Sequence, residues 1–163
     1  MRLGELRAIS MPRYRGGLTP EHSALKNFIN ESHNTKLSVG FLGNEAYEDG
    51  EQVGDVARSN EFGDLSENKP PRPFMRPAID VIENNAQQIV GRHLGFLLED
   101  IHLVFEDLGR YSVGQVVDAI HNVTTPPLAS LTISERRKRG NFSDKPLEDT
   151  LKMVSTVDYE VTK

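Results

Sequence analysis

Apolar and polar residues alternate with different periods along the chain, and the periods divide it into elements. Residues 1–18 carry scattered apolar side chains without a period and are expected to form an arm that is mobile in the isolated subunit. In "TPEHSALKNFINESHN" (19–34), Leu25, Phe28 and Ile29 share one helical face. Thr19 is placed to cap that helix and Pro20 suits its first turn. "KLSVGFL" (36–42) sets Leu37, Val39 and Phe41 against small or polar residues, the period of a half-buried strand. Asp49-Gly50 signals a turn, after which Val53, Val56, Ala57 and Asn60 space a short helix that Gly63 ends. From Pro77 a helical period runs through Ile79, Ile82, Ala86, Ile89 and Val90, on through Leu108, and as far as Ile120. Residues 77–122 are too long a stretch for one globular helix, so the pattern predicts a helical hairpin with its turn near Glu99–His102. Gly109 and Gly114 lower helix propensity there and would permit close helix approach.

Pro126 and Pro127 break this period. "SLTISERRKRG" (130–140) predicts a short basic helix ended by Gly140, and "DKPLEDTL" (144–151) a turn. "KMVSTVDYEV" (152–161) alternates Met153, Ser155, Val157, Tyr159 and Val161 with the residues between them. It reads as a terminal strand beside 36–42. The expected architecture is a single α+β domain over 19–163, a small antiparallel sheet packed on the hairpin.

Between sheet and hairpin lies "KPPRPFMRP", with Pro70, Pro71, Pro73 and Pro77 inside eight positions. Proline fixes φ, removes a donor and restricts the preceding residue, so this run is a stiff extended strap. Phe74 and Met75 interrupt it with large apolar side chains, which a disordered linker would not need. The strap therefore docks, with its own fold as the default site for Phe74. Its resemblance to a proline-rich ligand for an aromatic groove is offset by its position at the start of a helix.

Composition narrows the function. The 163 residues contain no cysteine, which excludes disulfides and thiolate metal sites, and no apolar run reaches membrane-spanning length. The first residues lack the apolar segment of a secretory signal, so a cytoplasmic site of synthesis and no membrane partner are expected. The net charge of −5 is unevenly spread: residues 1–16 hold four arginines against one glutamate, 44–67 are strongly acidic, and Arg136, Arg137, Lys138 and Arg139 form a compact basic run. An acidic balance argues against general nucleic-acid binding. A basic patch on one copy and an acidic segment on another can complement each other in an assembly. The rival reading is a nucleic-acid-contacting module using 136–139, whose binding would fall steeply with salt.

Catalytic signatures are not evident. No glycine pattern matches a nucleotide-binding loop, no serine sits in a nucleophile elbow, and the five histidines lack ligand spacing. "NEAYEDGEQVGD" departs from a calcium loop, with Ala46 at the third position and glycine at the seventh. No catalytic, cofactor-binding or metal-binding residue is assigned, and no cofactor is expected.

The order of the segments carries a resemblance. Val39-Gly40-Phe41, Tyr47-Glu48-Asp49-Gly50, Asn60-Glu61-Phe62-Gly63 and Pro70-Pro71-Arg72-Pro73-Phe74 follow one another as in the neck and tail-completion (virion morphogenesis) proteins of long-tailed bacteriophages. "TTPPLASLTISERRKRG" and "DKPLEDTLKMVSTVDYEV" resemble the family's C-terminal part, so the similarity spans roughly 36–163. It implies a non-enzymatic virion protein at the head–tail junction, assembled in the host cytoplasm. It further implies a homo-oligomeric, hexameric ring between a head-closure or connector protein and a tail tube or terminator protein, with DNA passing through its lumen. On this resemblance the strap residues Pro71, Arg72, Pro73 and Phe74, together with Arg136, Arg137, Lys138 and Arg139, are candidates for subunit and partner contacts. One departure stands out: the family usually has glycine where this chain has Leu151. Because leucine disfavours a left-handed backbone, the turn into the last strand is expected to be built differently.

Overall fold

The computed structural model describes residues 20–94 and 100–163. The arm expected over 1–18 and the capping position Thr19 lie outside the described residues. In chain order the elements are α1 (Pro20–Asn34), β1 (Lys36–Gly40), α2 (Val53–Phe62), α3 (Met75–Leu94), α4 (Ile101–Asn122), α5 (Ser130–Lys138), α6 (Lys152–Thr156) and β2 (Asp158–Thr162). The fold is α+β. Helices α3 and α4 form the expected hairpin, and α4 packs on α3 and also against both strands. The hairpin turn ends earlier than the period suggested. Ile101 and His102 already belong to α4, capped by Asp100, whose carboxylate accepts the His102 N–H at 2.9 Å.

The two strands pair antiparallel, Lys36 opposite Thr162 and Gly40 opposite Asp158. Both are shorter than the alternation predicted. β1 stops at Gly40, whose φ of +144° turns the chain so that Phe41 meets Phe74 edge-on, ring centroids 6.2 Å apart. The expected strand 152–161 is half helix. Met153 and Val157 are four residues apart, a spacing that satisfies a period of two and a helical turn equally. Both are buried in the main core, which α6 delivers before β2 begins at Asp158. That core gathers Val53 and Ala57 of α2, Phe74, Ala78 of α3, Val116 and Ile120 of α4, Val123, Met153 and Val157.

Gly109, and not Gly114, marks a close approach, and its neighbour is a strand instead of a helix. A Cβ at Gly109 would overlap the ring of Tyr159 on β2, whereas one at Gly114 would meet nothing. The Tyr159 hydroxyl donates to Glu106 Oε2 at 2.6 Å, which holds the ring over the glycine. Gly109→Ala is expected to lower stability by about 1–3 kcal/mol, the usual range for forced overpacking, read from urea unfolding at neutral pH.

The turn before α6 corrects the expectation at Leu151. The residue does adopt the left-handed conformation, at φ 58° and ψ 8°, although it is leucine. Left-handed backbone disfavours a Cβ-bearing residue by roughly 1–2 kcal/mol. Glycine's extra chain entropy offsets about 0.5–1 kcal/mol of that. Leu151→Gly is therefore expected to stabilise the fold by about 0.5–1 kcal/mol, measured as a higher urea midpoint with an unchanged slope.

Candidate assembly interface

The strap is short and anchored from both sides. Helix α3 starts at Met75, inside the proline run, so only residues 70–74 remain extended. The cause is Glu61, near the end of α2 and almost fully buried. Its Oε2 accepts the N–H groups of Phe74 at 2.7 Å and Met75 at 2.8 Å, and its Oε1 accepts the Arg76 N–H at 3.3 Å and Arg76 Nε at 2.8 Å. One carboxylate thus satisfies donors at the α3 N-terminus that no intrahelical carbonyl can reach, where the helix dipole also favours negative charge. Burial alone would raise the Glu61 pKa. The Arg76 guanidinium and the three backbone N–H groups outweigh it and hold the carboxyl below its ordinary value. Gly63 makes the reversal possible. Its φ is +78°, and a Cβ there would lie 2.9 Å from both the Lys69 carbonyl oxygen and the Pro71 nitrogen.

Of the four strap residues expected at a subunit contact, two face inward. Phe74 is 1% exposed within its own core, and Arg72 is buried, its Nε donating to the Pro126 carbonyl at 2.9 Å and its Nη2 to Pro127 at 3.2 Å. Burial, reinforced by the nearby charge of Arg136, lowers the Arg72 pKa from its usual high value. Pro71 and Pro73 remain at the surface.

The basic run divides in the same way. Arg136 is a buried clamp and not part of an exposed patch: its Nη1 donates to the Lys145 carbonyl at 2.7 Å, and its Nε lies 3.6 Å from Asp149. Arg137, Lys138 and Arg139 face solvent. Lys138 pairs with Glu135 at 2.6 Å and Arg139 with Asp149 at 2.8 Å. The helical period of α5 explains the split, since one residue in four of a short helix must face the body of the fold. Charge counting along the sequence registers sign but not side. Asn141 completes the corner, its Nδ2 donating to the Asp149 carbonyl at 2.8 Å. Desolvation would raise the Asp149 pKa, but hydrogen bonds from Arg139 and Asn141 lower it overall.

Three of the described histidines lie beside carboxylates, His102 among them at 3.6 Å from Glu106. His93 Nε2 lies 2.9 Å from Asp107, and His121 Nδ1 lies 2.7 Å from Glu148, which holds the Glu148 carboxyl below its ordinary range. Among the described residues no three histidine or acidic side chains converge on a common point. No described helix is long and apolar enough to cross a membrane. Sequence reasoning missed Glu61 as a cap and Arg136 as a clamp. No local signal marked the first, because Glu61 lies thirteen residues before Phe74. None was present for the second. Comparison of the chain with family models, with curated proteins and with solved structures finds no match.

Proposed function

We propose that the chain is a structural subunit of the head–tail junction of a long-tailed bacteriophage, a neck or tail-completion protein that works as a ring. The observation that carries this reading is where the motifs of the resemblance lie. Phe41 packs on Phe74, Glu61 caps the helix that follows the strap, and Gly63 lies against Pro71. Segments as far apart in sequence as Phe41 and Phe74 thus form one architectural corner. Such a corner sets the angle between sheet and hairpin, which suits a part whose function is shape. The ring is hexameric and joins a head-closure or connector protein to the tail tube or its terminator, with DNA in the lumen. Its position is tested by cryo-electron microscopy of particles containing the protein. Density for this chain as a ring between head and tail is expected. Particles complete at the junction without the chain would overturn the reading.

A further inference from the structure

Leu151 presents a leucine where glycine would fit without strain, and the side chain is 51% exposed. Backbone strain of this kind is a pointer to function when nothing inside the fold uses the side chain. Its surroundings indicate what does. Two residues before it, Asp149 is tied to Arg139 and Asn141, and Phe142, 78% exposed, follows directly. One residue after it, Lys152 donates to the Ala46 carbonyl and lies 5.6 Å from the Tyr47 ring. Leu151 therefore sits between the basic segment 137–145 on one side and the acidic loop 45–51 on the other.

The two sides carry opposite outward charge. Glu45, Glu48, Asp49 and Glu51 are all exposed, and none makes an ion pair among the described residues. On the other side Arg139 and Lys145, 60% and 51% exposed, pair with the less exposed Asp149 and Glu148, at 35% and 13%, and Asp144 is the exposed acid of the segment. Arg137 is exposed and has no ion-pair partner among the described residues. A patch with an apolar centre, an acidic flank and a basic flank is complementary to itself after rotation by half a turn. A two-fold contact uses the same patch on both subunits.

We propose that two copies of this chain pair about a two-fold axis at Leu151, the acidic loop of each facing the basic segment of the other, with Phe142 packed near the axis. The pairing rests on this patch and not on the head–tail reading, since a two-fold contact closes on itself and neither builds nor forbids a ring. It gives a leucine side chain a use at a left-handed surface position where glycine would be less strained.

The chain lacks cysteine, so Leu151→Cys introduces its only thiol. A two-fold axis there brings the same residue of both copies together. A short bis-maleimide is expected to link this variant into dimers much faster than a Val81→Cys control, Val81 being exposed on α3. Wild type is expected to sediment as a dimer at high concentration and to dissociate with added salt. Leu151→Gly should be a better-folded monomer, which separates pairing from stability. Glu48→Lys with Asp49→Lys should weaken pairing by about tenfold or more, and adding Arg137→Glu with Lys138→Glu should restore it. A chain that is monomeric at every concentration overturns the proposal, as does Leu151→Cys linking no faster than the control. A dimer that persists undiminished in Leu151→Gly and in the Glu48→Lys, Asp49→Lys variant also overturns it, while leaving the head–tail reading intact.

Discussion

Phe74→Ala is expected to unfold the isolated subunit early. The ring is 1% exposed, meets Phe41 edge-on, and belongs to the core shared by α2, α3, α4 and α6. Truncating a buried phenylalanine removes about 3–5 kcal/mol, a large share of the roughly 5–15 kcal/mol that holds a domain folded. For a chain of this size each kcal/mol shifts Tm by about 2–4 °C, so a fall of roughly 10 °C or more is expected. Lys69→Ala, at the surface end of the strap, should stay within about 0.5 kcal/mol of wild type. Differential scanning calorimetry of the two variants makes the comparison. Because Phe74 packs within its own subunit, the loss must appear in the unassembled protein. A Phe74→Ala subunit that melts like wild type yet fails to assemble would place the ring on a neighbour.

The second large effect belongs to Glu61. Replacing it with alanine removes the acceptor for three N–H groups at the start of α3 and for Arg76. Loss of a helix cap together with an orphaned buried donor is expected to remove roughly 2–4 kcal/mol. Glutamine is the sharper variant, since it keeps the shape but directs an amide N–H₂ at backbone donors. The same site gives a pH dependence of known sign. The folded pKa lies below the ordinary glutamate value, so the unfolded chain binds the proton first as pH falls. The stabilisation is complete above about pH 4.3, the unfolded value, and is lost as pH drops through the lower folded value. Urea unfolding across that acid range should show a fall in stability for wild type that is shallower in Glu61→Gln. Equal slopes would mean that other carboxylates carry the acid sensitivity.

The sequence by itself determined the element types wherever one period was long enough to be unambiguous. The hairpin from Ile79 to Ile120, the strand of Leu37 and Val39, the short helix closed by Gly63 and the basic helix closed by Gly140 were all legible. Each follows from local propensity and one-sided burial. It also determined that Phe74 would be a docked side chain, because prolines on both sides leave a large ring no helical or sheet role of its own.

Only the tertiary structure decided the rest. Met153 and Val157 fit either period, and the choice of helix followed from where the core needed them. The α3 start moved to Met75 because a carboxylate thirteen residues away in sequence supplied the missing acceptors. Arg136 turned inward while Arg137, Lys138 and Arg139 stayed out, because a carbonyl at Lys145 and the carboxylate of Asp149 met it. Leu151 took a conformation its own chemistry disfavours because residues on both sides were already held, Asp149 by Arg139 and Asn141 and Lys152 by the acidic loop. Local preferences differ by about 1 kcal/mol per residue, and a few long-range hydrogen bonds with a buried ring exceed that.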